Sequence, residues 1–323
     1  MTKVTGVSPI DIETASGAHA MMVNLRSYLL AAGLTEVAIT DGYDASETGS
    51  ADQLVLNVSD YASWMVFTFS DEANQQFPIY VSFRVTRQAV GSSSNSYARY
   101  LIQSRVSTDI NAETGAASAN VALSSVTGNY SSSSNYAYYN APNLGDFIRY
   151  TGDALTVVFG AGAATSQNLG KRDAIVYLHV ERQVQLDGTY TGGPAILINS
   201  NPFYSAGYGS SILNPAWSNG GDCLVSGRAF SERTGGVAAL FTHGIPIVAP
   251  VFYKSASRDE LVPFRYLFSI PAAPVLGAGL IRLDFQGEEK QYLRTSFDYP
   301  ATYGFNQIRI GYQECVPLFS WDD

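Results

Sequence analysis

One stretch of this sequence clearly repeats its apolar residues at helical spacing, and the scarcity of that pattern elsewhere limits how much helix the chain can form. Ala18, Met22, Leu25 and Leu29 fall at i, i+4, i+7 and i+11, and Met21 and Tyr28 widen the stripe. Ser16 stands where it can cap the N-terminus, and Gly33 where a left-handed residue ends a helix. Asn24, Arg26 and Ser27 sit toward the other side, so the pattern predicts an amphipathic helix packed on a sheet.

Nearly everything else comes in short runs of β-branched and aromatic residues. Gln53–Ser59, Trp64–Ser70 and Ile79–Arg87 read as strands, with Asn74 to Pro78 turning the chain between the last two. Tyr97–Val106 fits either strand or helix. Strand signals return at Phe147–Tyr150, Leu155–Phe159 and Ala174–Gln183, where Val176, Leu178 and Val180 alternate with Tyr177, His179 and Glu181. Dense Gly/Pro punctuation follows, beginning at Gly192-Gly193-Pro194. Further strands are expected at Cys223–Phe230, Val237–Thr242, Ile245–Tyr253, Phe264–Ile270, Leu280–Phe285, Gln291–Phe297 and Gln307–Gln313. No constant repeat period is visible, which argues against a solenoid or propeller.

This reads as a mainly β fold: an α+β N-terminal part with one amphipathic helix on an antiparallel sheet, then a β-sandwich-like remainder. The length of 323 residues fits two domains, placed at 1–190 and 191–323, with one large all-β unit as the alternative. Within the first, residues 107–143 turn Ser-, Asn-, Ala- and Tyr-rich and read as an inserted excursion. The apolar stretches Gly236–Tyr253 and Phe268–Phe285 are interrupted by prolines and charges, so no membrane insertion is expected. The first residues lack a basic region followed by an apolar run, so no secretory signal is expected.

Charge narrows the partners. Nineteen Lys+Arg against 28 Asp+Glu leave a net charge of −9, and only 15% of residues are charged. An ordinary soluble domain carries about 25%. Scarce, scattered cations argue against nucleic acid as a partner.

Motifs for chemistry are weak. Cys223 and Cys315 stand apart without metal-ligand spacing and read as buried reduced thiols. His19, His179 and His243 are isolated and read as surface or hydrogen-bonded side chains. The acidic loop from Asp41 to Asp52 departs from a calcium loop, with Tyr43 and Ala45 at ligand positions. Gly160-Ala-Gly162 and Gly170-Lys171-Arg172 fail as phosphate loops, and Gly207-Tyr-Gly209-Ser210-Ser211 only approaches a nucleophile elbow. Asp259-Glu260 and Glu288-Glu289 look like solvated loop tips beside Arg258 and Lys290. No catalytic residue, metal site or cofactor is expected, and the chain is not expected to be an enzyme.

The strongest feature is the tract from Tyr130 to Asn140. Tyr130, Tyr136, Tyr138 and Tyr139 are set among Ser131–Ser134 and Asn135. Tyrosine rings give contact area at low entropic cost, and small polar neighbours supply adaptable hydrogen bonds. These four tyrosines are the candidate interface loop, facing a neighbouring subunit or a glycan.

Three segments carry a family resemblance. They are Met22-Val-Asn-Leu-Arg-Ser-Tyr-Leu-Leu with Leu54-Val-Leu-Asn and Met65-Val-Phe-Thr-Phe; Lys171-Arg-Asp-Ala-Ile-Val-Tyr-Leu-His-Val-Glu-Arg leading to Gly192-Gly-Pro; and Gln291-Tyr-Leu-Arg-Thr-Ser-Phe to Phe305-Asn-Gln-Ile-Arg-Ile. In these the chain resembles tailed-bacteriophage virion structural proteins. The resemblance implies a tail, baseplate or neck component with no catalytic residues. It would be made in the host cytoplasm and located in the virion, bound to copies of itself and other virion proteins. Head decoration, binding of a host-surface glycan and polysaccharide cleavage are the alternatives.

Overall fold

Alternating apolar residues become strands in almost every segment of the chain that the computed structural model describes. These are residues 1–6, 15–38, 64–90, 97–127, 146–159, 176–184, 187–198, 223–225, 241–242, 245–246, 248–254, 261–271, 279–285, 287–294, 308–310 and 313–322. The chain forms two compact units, Met1–Leu178 and His179–Asp323. The division falls inside a strand, whereas the sequence reading sets it after residue 190.

The first unit opens with β1 (Thr2–Gly6) and the helix α1 (Ala15–Ala32). Ser16 lies within the helix, one residue after its start, so the expected cap position is corrected. The apolar stripe is buried as its spacing predicts: Met21, Met22, Leu25 and Leu29 are all inaccessible, while Ser27 and Leu30 face solvent. Gly33, at φ 102°, ends the helix. Its N–H donates to the Leu30 carbonyl at 3.0 Å and that of Leu34 to Leu29 at 3.2 Å, the paired bonds of a left-handed C-terminal stop. α1 packs against β1, against β4 (Tyr80–Val90) and against β7 (Asp146–Tyr150).

β2 (Thr35–Glu36), β3 (Met65–Thr68), β4, β5 (Tyr97–Ile110) and β6 (Ala117–Thr127) form an antiparallel five-stranded sheet in that order. Met65, Phe67, Val81, Phe83 and Val106 share one face through the registers Met65↔Phe83, Phe67↔Val81 and Val81↔Val106, and all are buried. A second antiparallel set, β1, β7 and β8 (Ala154–Phe159), pairs Gly6↔Asp146 and Phe147↔Val158. A Cβ at Gly6 would fall on the Tyr28 phenol, so a larger residue there would displace that ring.

Two expectations change here. Tyr97–Val106 is strand, and the first part of the expected excursion, through Thr127, belongs to a hairpin of β5 and β6 whose register is irregular beside the turn. The turn explains it: Asn111 Oδ1 accepts the Glu113 and Thr114 N–H groups at 2.8 and 3.1 Å, and Gly115 takes φ 67°. Small residues that look like loop text therefore pair in β6 once a side-chain-stabilised turn has reversed the chain. The expected strand Gln53–Ser59 lies outside the described residues.

The second unit contains most of β9 (Val176–Val184), then β10 (Tyr190–Ile198), which is β9's neighbour. β10 runs straight through Gly192-Gly193-Pro194, correcting the reading of that triplet as loop punctuation. β11 (Cys223–Val225) follows, then the hairpin of β12 (Phe241–Thr242) and β13 (Ile245–Pro246). β14 (Ala249–Lys254), β15 (Leu261–Pro271), β16 (Gly279–Phe285), β17 (Glu288–Arg294), β18 (Ile308–Ile310) and β19 (Gln313–Ser320) complete it. The large sheet has the order β11-β14-β15-β19-β17-β16, with β18 also pairing β19. Leu283, Tyr292 and Leu318 form a core cluster in this unit, with Phe268 edge-on to Tyr292 at 5.7 Å. The mainly β fold class expected from the sequence is what the chain adopts.

Candidate functional site

Of the candidate residues, Tyr130, Tyr136, Tyr138 and Tyr139 lie outside the described residues. So do the acidic loop Asp41–Asp52, His243, both glycine-rich phosphate-loop candidates, the Gly207–Ser211 stretch and Asp259-Glu260. His19 falls in α1. Glu288 and Glu289 are exposed at the β16–β17 hairpin, paired with Lys290 at 3.4 Å and Arg282 at 2.9 Å. Such exposed pairs contribute at most about 1 kcal/mol.

The described constellation richest in ionisable groups is one that the sequence reading missed. It centres on Glu181 of β9 and the middle of β15. β15 contacts β14 through Pro250↔Phe268 and then Phe252↔Pro263, so Phe264–Leu267 bulge opposite Val251 alone. Pairing with β19 begins only at Leu267. The amides of Arg265 and Tyr266 therefore fall outside both ladders. Glu181 supplies the missing acceptors: Arg265 N–H donates to Oε2 at 2.9 Å and Tyr266 N–H to Oε1 at 2.8 Å. Buried amides need partners, and one carboxylate here serves two in succession.

The same carboxylate holds His179, two residues back and on the same face of β9. His179 Nε2 lies 2.8 Å from Glu181 Oε1. An ionised carboxylate only accepts, which places a proton on Nε2. The imidazole is packed near Phe264 and Phe319, at 5.8 and 5.6 Å between ring centres. The Arg265 guanidinium adds an ion pair, Nε to Oε2 at 3.4 Å. Burial alone would push the Glu181 carboxyl up. The His179 hydrogen bond, the charges of His179 and Arg265, and the Arg265 amide outweigh it and hold the group below the usual carboxylate range. His179 and Glu181 are 0% and 1% exposed, so the pair is closed to a substrate in this conformation. Its chemistry is that of a clip which fastens β9 to β15.

The first unit has a buried cationic cluster of its own. The guanidinium carbons of Arg84 and Arg105 lie 4.4 and 4.3 Å from the centre of the Trp64 ring. Register places all three on one face: Met65 opposes Phe83 and Ser82 opposes Arg105. Arg105 Nη2 donates to Ser82 Oγ at 3.2 Å and to the Gly115 carbonyl at 2.5 Å, tying the β5–β6 turn to β4. Cation–π attraction strengthens when water is excluded, as it is here.

A third tie is Tyr150, at the end of β7. Its hydroxyl accepts from the Ser70 N–H at 2.7 Å and donates to the Gly152 carbonyl at 2.9 Å, while Ser70 Oγ reaches the Gly33 carbonyl at 3.2 Å. Helix end, β3 exit and β7–β8 turn are thus tied together through Ser70 and the Tyr150 phenol.

Among the described residues no three His, Cys, Asp or Glu converge to hold a metal, and no helix is long and apolar enough to cross a membrane. Compared with protein-family models, with curated proteins and with solved structures, the chain has no match.

Proposed function

We propose that the chain is a structural assembly protein of a bacteriophage particle, a tail, baseplate or neck component that acts through protein–protein interfaces. One observation supports this reading above the others. The chain has few charges, and among the described residues six of them (Arg84, Arg105, Asp146, Arg149, Glu181 and Arg182) are buried within the fold. Internal burial lowers still further the number of charged groups left for the surface. A surface poor in charge is the kind that loses least on being covered, since interface cores are depleted of charged residues.

The resemblance to virion proteins supplies the biological setting. Its segments include Met22 and Leu25, which are buried in the helix stripe, and Val180 and Glu181, which are buried in β9. On this reading the partners are copies of the chain and other virion proteins, its place is the virion, and it performs no catalysis. The deciding experiment is mass spectrometry of purified particles combined with labelling of the chain in electron micrographs. Stoichiometric presence at the tail, baseplate or neck is expected. Presence on the head shell alone would make it a decoration protein, and absence from particles would overturn the proposal.

A further inference from the structure

Open sheets carry a hazard at their edges, where unpaired backbone groups invite another strand. Among the described strands the terminal positions carry several features that discourage pairing. β2 has two residues, one of them Glu36; β1 is short and contains Lys3; β11 has three residues; β10 contains Pro194; and β16 holds Arg282 and Asp284 toward solvent. β6 is the exception. It ends the five-stranded sheet, runs for eleven residues, and contains no charged residue, proline or glycine. It is the longest described strand without a charge.

Its regular part is also well defined. The β5–β6 register slips between Val106 and Ile110, opposite the start of β6, but Leu101–Val106 pair one to one with Ala122–Thr127. Alternate residues of Ala122–Thr127 therefore direct their N–H and C=O groups away from β5.

We propose that this edge is a self-association surface, and that its occupant is β6 of a second copy, added antiparallel about a two-fold axis. Two copies of a chain with net charge −9 repel one another, so a contact between them is favoured where charge is absent. A two-fold contact brings the same few residues face to face. A charge at the axis would meet its own copy, and one elsewhere on the strand would be buried against an uncharged partner; β6 has none. Pairing would join two five-stranded sheets edge to edge and satisfy backbone groups that neither copy pairs among its described residues. The proposal rests on the assembly reading, for which it names one contact, but it concerns the isolated chain.

The test is sedimentation of the full chain from about 1 to about 100 µM, a span that covers weak and moderate dimers. Amide hydrogen exchange is followed at both ends of that range. A dimer is expected, with exchange across Ala122–Thr127 slowing as concentration rises. Placing a lysine at the far end of the edge, Thr127→Lys, two residues beyond the row that holds Gln103 and Arg84, should weaken the dimer by about tenfold with circular dichroism unchanged. If that variant fails to fold, the wild-type exchange decides. A monomer throughout, a dimer whose Ala122–Thr127 exchange ignores concentration, or full protection already in the dilute chain would each overturn the proposal. None of these outcomes bears on whether the chain is found in particles, so the two readings fail separately.

Discussion

Glu181 shows how much one side chain can carry in a protein with few charges. It accepts two consecutive backbone amides and the His179 proton while fully buried. Glu181→Gln keeps the shape but turns an amide NH₂ toward a backbone donor. Loss of about 3 kcal/mol is expected from chemical denaturation at neutral pH. The pH dependence follows from the direction of the shift. Because folding lowers the Glu181 pKa, its stabilisation is fully present above the unfolded value and is lost as pH falls through the lower folded value. Wild type and Glu181→Gln should therefore converge in melting temperature only below the usual carboxylate range. A constant gap down to strongly acidic pH would refute this account. Gly33 poses a purely conformational case: a Cβ there would meet only Tyr150 at an ordinary 3.8 Å, so strain comes from φ 102° alone. Gly33→Ala should cost about 1 kcal/mol in the same denaturation assay.

At the scale of elements, the helix behaves as its periodicity says and the strands only partly do. Leu29 is fully buried and its neighbour Leu30 is 38% exposed. Leu29→Ala should destabilise by about 2–5 kcal/mol and Leu30→Ala by less than about 0.5 kcal/mol, measured by urea denaturation. Similar losses from both would mean that the stripe does not face the core. The strands departed from expectation where side-chain chemistry, not hydrophobicity, set the backbone. Asn111 folds its own turn, which brings Ser- and Ala-rich text into β6. Pro194 lies within β10, the edge strand beside β9, and prolines in sheets are confined to edges because they have no N–H for an inner ladder.

For the whole molecule, the tyrosine tract and the β6 edge are consecutive in sequence, since Thr127 ends the strand and Tyr130 opens the tract. Deleting Tyr130–Asn140 should weaken subunit association in sedimentation while circular dichroism and melting stay close to wild type. Unchanged association would refute the role assigned to Tyr130, Tyr136, Tyr138 and Tyr139. The sequence by itself determined the helix, its glycine stop, the mainly β class and the shortage of charge, because each is a local or additive property. A stripe at helical spacing or an alternating run reports its own faces without knowledge of the rest of the chain. Only the tertiary structure decided which charges go inside. Val176 to Glu181 announces a strand with one polar face, yet His179 and Glu181 are buried because the β15 amides, 84 and 85 residues away, need an acceptor. Arg84 and Arg105 are buried against Trp64 for a related reason: the register of β3, β4 and β5 sets them beside one indole. The free energy of a buried charge is fixed by its distant partners, and those exist only once the chain has folded.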